Sequence, residues 1–353
     1  MKLYTQIDHY HSKWRSELFT ILKPYIGKSG PFSNEDCMAQ YGFELQTFTL
    51  ATEETANAVW ILPMSWNFYA HTGKLHLAAE FIKRAAEQNK KVITFTSGDF
   101  GVKVPSYNNI LVFRQSGNRS KLPGYHLGMP VFISDPLQKH FQQSEPVIRK
   151  YENIPTIGFC GQTNDSVTNA IKEISRVLYR NFRFKMGSIL DEPQQVLSSS
   201  YLRGKVLTAV KDAPGLKANF IERKKYRAGV NDEASKKRTT LEFYQNMIDS
   251  DYIICVRGGG NFSVRFYETL AMGRIPVFVN TDCLLPLASG INWKKHVVWL
   301  ETNQINDLEK HISSFHESHT PETFKALQLA NRKLWENKLQ SSNFFTTQES
   351  LIN

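Results

Sequence analysis

The sequence predicts an α/β protein of two doubly wound, Rossmann-like domains, and three observations carry that expectation. Runs that are apolar and rich in β-branched residues recur at 58–63, 92–96, 252–256 and 277–279, which is how strands buried on both faces read. Segments with helical apolar spacing stand between them, as at Leu75, Ala78, Ala79, Ile82 and Ala86. The length, 353 residues, exceeds the comfortable size of one hydrophobic core.

Taken in order, residues 1–57 are mixed, with a helix expected over 16–26 and a break at Pro31-Phe32. Strand 58–63, helix 75–89 and strand 92–96 form a βαβ unit that delivers Ser97-Gly98-Asp99-Phe100 at a strand's carboxyl end. Strands at 110–113 and 129–133 follow, with Asn118, Arg119 and Ser120 in the loop between them. A linker is expected over 142–153. Strand 156–161, ending in Gly161, then opens a second domain, with a helix over 166–179 spaced on Val167, Ala170, Ile174 and Leu178. Strand 216–221 leads to a basic stretch at 222–227, a polar mobile loop at 228–238 and an amphipathic helix at 240–248. Strand 297–300 and two charged helical stretches finish the chain. The expected domains are 1–150 and 151–320, with a helical segment over 321–353.

The most informative stretch is 251–286. Strand 252–256 runs into Arg257 and then Gly258, Gly259 and Gly260, which let the backbone turn sharply and approach a ligand. Asn261 and Ser263 are expected, with the three glycines, to contact the ligand, Asn261 also capping a helix through Phe266, Leu270 and Ala271, which Gly273 ends before strand 277–279. In such a crossover, ligands sit at the carboxyl ends of the strands, where helix-start N–H groups favour negative charge. Arg257 and Arg265 add cations there, so a diphosphate is the natural occupant; the alternative is a bare glycine turn. No Lys-Ser/Thr follows the glycines, and Ser263 stands where a dinucleotide fingerprint has its third glycine.

The string RGGGNFSVRFYETLAMGRIPVFVNTDCLLPL resembles the exostosin family of glycosyltransferases, whose members carry RG-x-GN-x-S-x-RF-x-EAL-x-x-GRIPV and then Leu-Pro. The likeness is sharp over 251–293, where Ile291-Asn292-Trp293 echoes a further family segment, and Thr269 departs from the family's usual Ala. It implies a GT-B fold, two Rossmann-like domains facing a cleft, and inverting transfer of a sugar from a nucleotide donor, a UDP-sugar above others, to a glycan or lipid-linked acceptor. It also implies a C-terminal helix, at 321–339, that returns to the first domain. Glu268 matches the family acid that binds the donor ribose, and Gly161 would face the cleft from the second domain's first strand. A GDP-sugar enzyme of the fucosyltransferase type and a catalytically silent nucleotide- or glycan-binding domain are the rival readings.

Composition bounds the partners and compartment. A net charge of +10 and a pI near 9.3 favour anionic partners. Basic clusters at 223–227 and 236–238 come with no helix-turn-helix, zinc-finger or RNP pattern, so no nucleic acid is expected. A sugar nucleotide and an anionic membrane leaflet carrying the acceptor account for the same charge. No run of about 18 apolar residues is present, and the first residues lack the apolar segment of a secretory signal. Cys37, Cys160, Cys255 and Cys283 are scattered. A sequon, Asn261-Phe262-Ser263, lies in the glycine loop, where glycosylation would block the site. Together these suggest a cytoplasmic, bacterial enzyme of surface polysaccharide or lipopolysaccharide assembly, peripheral to the inner membrane face.

Inverting transfer needs a base for the acceptor hydroxyl. Asp99, at a parallel strand's carboxyl end, is the leading candidate, ahead of His71 and His76. The departing diphosphate needs fixed cations or a metal. Asp249-Ser250-Asp251 spells a metal-binding Asp-x-Asp, yet it precedes its strand and so lies across the sheet from the crevice. Neither metal nor cofactor is therefore expected. Arg257 and Arg265 are the electrostatic candidates, with Arg223 reaching the phosphates. Asp282 is expected either to contact the sugar or to orient Arg274.

Overall fold

The computed structural model describes every residue except 28–35, 37–44, 52, 55–56, 225 and 353, so the break at Pro31-Phe32, Cys37 and Lys225 lie outside the described residues. One group of strands is β1 (Lys2–Tyr4), β2 (Thr49–Leu50), β3 (Ala58–Ile61), β4 (Val92–Phe95), β5 (Ile110–Arg114) and β6 (His126–Gly128). The other is β7 (Thr156–Gln162), β8 (Lys217–Arg223), β9 (Tyr252–Cys255), β10 (Ile275–Asn280) and β11 (Val298–Glu301). They form two wholly parallel sheets, in the orders β2-β1-β3-β4-β5-β6 and β11-β10-β9-β7-β8. This is the two-sheet α/β arrangement of a GT-B protein. Each sheet reverses its strand order once, between β1 and β3 and between β7 and β9.

The strand runs are apolar throughout because both faces are covered. On β9, Tyr252 and Ile254 enter one core while Ile253 and Cys255 enter the other. The helices are α1 (Trp66–His71), α2 (Leu75–Glu87), α3 (Pro136–Phe141), α4 (Val167–Lys185), α5 (Ser199–Lys211), α6 (Glu233–Ile248), α7 (Val264–Ala271), α8 (Leu308–Glu317), α9 (Pro321–Leu334), α10 (Ser341–Thr347) and α11 (Glu349–Ile352).

Several local expectations are corrected. Residues 16–26 hold no α-helix: 3-10 turns at Ser12–Glu17 and Thr20–Leu22 flank an extended Leu18, which bridges Met64. The strand expected at 129–133 is β6 instead; Met129 N–H still reaches Arg114 O at 2.8 Å, and Pro130, lacking an N–H, ends the ladder. The polar stretch 228–238 is largely helical, because Asp232 caps α6 by accepting from Ser235 N–H at 2.8 Å. Residues 321–339 stay with the second domain, burying Phe324 and Trp335 there. The return is made further on, where α10 sends Phe344 and Phe345 against Phe113 and Phe345 against Phe19 in the first core. Each buried ring contributes roughly 1.5–3 kcal/mol.

Of the two roles expected of Asp282, orienting Arg274 is not the one it plays, because Arg274 bonds elsewhere. Its guanidinium is fully buried, with Nε donating to Met247 O, Nη1 to Gln328 Oε1, and Nη2 to Val147 O and Ile248 O. It ties the 142–155 segment, α6 and α9 together behind β10.

One buried group makes the fold acid-sensitive. His126 on β6 lies 3.4 Å from Arg114 Nη1, and burial together with that cation pushes its pKa down to about 4. Because the unfolded chain binds this proton first, stability falls as pH drops from about 6.5 towards 4, by at most about 3 kcal/mol. His126→Gln is expected to flatten the urea midpoint between pH 7 and 4.5 relative to wild type; an unchanged pH slope would show that His126 contributes nothing.

Candidate active-site cleft

The carboxyl ends of the two sheets meet at the glycine loop. Gly258 N–H closes the loop on Phe262 O at 3.0 Å. A Cβ at Gly260 would lie 2.8 Å from Asp99 O, so the backbone of the other domain requires glycine there, while one at Gly259 would lie 2.7 Å from the Asp99 Oδ2 side-chain tip. At Gly258 such an atom meets nothing within 4 Å, which leaves open space on the loop. Asp99 follows Gly98, whose φ of +70° turns the chain after β4, and its exposed carboxylate faces the loop.

Asn261 corrects an expectation. It is 0% exposed, and Ser263, not Asn261, occupies the N-cap position of α7. Its Nδ2 donates to Gly117 O, Asn118 Oδ1, Thr281 O and Asp282 O, its Oδ1 accepts from the Thr281 hydroxyl, and its N–H donates to Ser116 Oγ. It staples the β5–β6 loop to the segment after β10. Asp282 works beside it with φ +62°, accepting from Ser120 N–H and hydroxyl at 3.0 and 2.7 Å. The Asn261 side chain is enclosed by these partners, while Asp282 is half-buried with its carboxylate on Ser120.

The cations gather where the second sheet reverses its order. Arg265 reaches back from α7 over the Phe159 ring, donating to Cys160 O on β7 at 2.8 Å and to Ile254 O on β9 at 3.4 Å. Gly161 makes room, since a Cβ there would stand 2.7 Å from Arg265 Nη2. Arg257 is 3% exposed, with Nη1 on Gln195 Oε1 and Nη2 on Gly259 O. Arg203 of α5 completes the group by donating to Gln162 O at 2.8 Å and Arg257 O at 3.4 Å. Among the described residues none of the three is ion-paired, and the Nε of each is buried without a hydrogen bond. Burial lowers the pKa of all three, and Arg265 adds to the effect on Arg203. Cations without a direct ion pair at a switch point form a site for an anion.

The other expected residues separate. Glu268, on α7, accepts from the Tyr244 hydroxyl at 3.1 Å. Arg223 is held off by Glu242 Oε2 at 2.9 Å and Thr239 O at 3.1 Å, so its guanidinium is not directed to phosphates. Ser263 begins α7 without a side-chain cap, which leaves the helix-start N–H groups uncapped by it. His71 lies 3.5 Å from Asp191 and His76 is exposed on α2. Asp251 is 1% exposed at the amino end of β9, bonded by Thr156 N–H at 2.7 Å and Arg149 Nε at 3.0 Å, while Asp249 accepts from Gln245.

Sequence reasoning missed two features. Arg203, Gln195 and Ser199, whose hydroxyl donates to Gly258 O at 2.8 Å, come from a segment with no glycine or motif signal. Glu17 lies at the carboxyl side of the first sheet, where the Ser65 and Ser97 hydroxyls both donate to its carboxylate. Only the shared strand-end position of Ser65 and Ser97 hinted at it.

Two parallel α/β sheets thus meet at a cation-lined glycine loop, the two-domain arrangement of a GT-B fold. The Exostosin GT47 domain model matches residues 129–315, more than half of the chain, and the chain belongs to that family. It is 28% identical over 108 residues to Exostosin-1 of Drosophila melanogaster, a match covering 30% of this chain and 13% of that protein. It is also 28% identical over 85 residues to the Probable glucuronosyltransferase 47 A of Physcomitrium patens, covering 24% and 19%. The matched stretches thus span less than a fifth of these relatives. Among solved structures, spinosyn rhamnosyltransferase SpnG complexed with thymidine diphosphate overlaps 75% of this chain and 69% of that one, at 10% identity and a TM-score of 0.33. TarM overlaps 74% and 55%, at 9% identity and a TM-score of 0.32.

Proposed function

We propose that this protein is an inverting, metal-independent glycosyltransferase that takes its sugar from a nucleotide donor, a UDP-sugar above others. The observation that carries the reading is the trio Arg203, Arg257 and Arg265 at the β7–β9 switch point, Arg257 buried and the other two half-buried, each with a buried Nε that makes no hydrogen bond and, among the described residues, no ion pair. A diphosphate there neutralises the trio, and as the glycosidic bond breaks the same groups and the α7 N–H dipoles stabilise the charge on the leaving oxygen. Asp99, facing the loop from the first domain, takes the proton of the acceptor hydroxyl as that oxygen attacks the anomeric carbon from the opposite side. Glu268 accepts the ribose hydroxyls. Asp-Ser-Asp stays out of the chemistry because it lies at the other end of β9 with Asp251 already bonded. The acceptor, a glycan or lipid-linked saccharide of bacterial surface polysaccharide or lipopolysaccharide assembly, and a cytoplasmic placement belong to the same proposal. The buried, unpaired thiols of Cys160, Cys255 and Cys283 support a reducing compartment.

Thermal shift with UDP, GDP, CDP and dTDP, with and without EDTA, tests this. At a hundredfold excess over Kd one diphosphate is expected to raise Tm by about 5 °C. The shift should be indifferent to EDTA, smaller in Glu268→Ala and lost in Arg203→Met. No shift with any diphosphate would overturn the donor site.

A further inference from the structure

Helix α4 departs from the rule that a helix laid on a sheet buries its apolar stripe. Of its 19 residues only Ala170 is buried. Val167, Ile171, Leu178 and Phe182 share one face at helical spacing and are 61%, 59%, 51% and 60% exposed, and Tyr179 and Met186 widen that face at 62% and 64%. What anchors the helix is its polar side. Glu173 accepts from the Ser198 and Ser200 hydroxyls, Asn181 pairs with the Gln194 backbone, and Arg180 bonds Asp191 while lying 3.8 Å over the Phe100 ring.

We propose that the exposed face of α4 docks on an anionic lipid bilayer, lying in the plane of the headgroups. Charge complementarity selects this occupant. Lys172, Arg176 and Arg183 border the apolar stripe on one side, and none has an acidic partner within 4 Å among the described residues. The helix's single acid, Glu173, is engaged inside the protein. An apolar face edged by a basic row is the pattern of an interfacial helix. A second copy fits poorly, because a two-fold contact through this stripe sets basic row near basic row. A polyanion such as nucleic acid would leave the apolar face uncovered. The placement also has a use: Arg180 covers Phe100, the neighbour of Asp99, so docking sets the cleft beside the bilayer surface.

The test is co-sedimentation of the full chain with vesicles of phosphatidylcholine alone and of phosphatidylcholine with phosphatidylglycerol, which reads docking without reference to transfer. Wild type is expected to bind the anionic vesicles at least about tenfold better than the neutral ones, less so in high salt. Ile171→Ser with Phe182→Ser should lose binding at least about tenfold. Arg176→Gln with Arg183→Gln should lose about 25-fold on anionic vesicles, some fivefold per charge, and nothing on neutral ones. All these side chains are exposed, so each variant should keep the wild-type Tm and diphosphate shift, which separates failure here from failure of the donor site. Absence of wild-type binding to anionic vesicles overturns the proposal. So does unchanged binding by the Ile171/Phe182 variant, or a concentration-dependent dimer that this variant dissolves.

Discussion

Asp99→Asn is expected to lower sugar transfer by about 10²- to 10⁴-fold while leaving diphosphate affinity near wild type. The asymmetry follows from the geometry. Asp99 belongs to the first domain and meets the donor loop from across the cleft, whereas the phosphate cations all belong to the second. The amide cannot accept the acceptor proton, yet it fills the same space against Gly259. Glu17→Gln is the comparison that decides between the two strand-end carboxylates. Glu17 already accepts two serine hydroxyls, which occupy its carboxylate oxygens and leave them less free to meet an acceptor hydroxyl. Transfer in Glu17→Gln should therefore fall much less than in Asp99→Asn. The reverse order of losses, measured in single-turnover assays with saturating donor, would move the base to Glu17. Equal diphosphate shifts with no transfer even in wild type would favour the silent-domain reading.

What was legible in the sequence is what depends on local pattern. Runs such as 252–256 and 92–96 read as strands because both their faces are covered, and within the glycine turn close approach of the Asp99 backbone demands glycine at Gly260. Arg257, Arg265 and Asp99 follow from position at a strand's end. The rest depends on contacts between distant segments. Arg223 lies at a strand's carboxyl end, yet Glu242, one helix away, claims it. Arg203 carries no local mark, since its place depends on α5 packing across the ends of β7 and β9. The apolar spacing of α4 predicted a helix, and the helix is present; of the residues that carried the spacing, Ala170 is buried and Ile174 half-buried, while Val167 and Leu178 are turned outward with Ile171 and Phe182. Periodicity reports that a face exists and is silent on what covers it.

Asn261 is the sharpest case, because position in the glycine loop suggested donor contact and the structure shows an interdomain staple. Asn261→Asp keeps the shape and reverses the chemistry. Four oxygens now receive the Nδ2 donors, those of Gly117, Asn118, Thr281 and Asp282, and a carboxylate would set an acceptor against them in a site with no access to water. The Thr281 hydroxyl would still donate to one carboxylate oxygen, and the expected cost is about 3 kcal/mol, the range for a buried charge without a counter-ion. Urea unfolding should show a lowered midpoint, and Asn261→Ala, which removes donors without adding charge, should fall between the two. Cleft geometry goes with the staple, since it holds Ser116 and the β5–β6 loop against the donor domain, so transfer should drop in both variants. Were Asn261 instead a donor ligand, both variants would weaken the diphosphate shift with the unfolding midpoint unmoved. That pattern would return the residue to the binding site and leave the domain contact to Asp282 and Ser120.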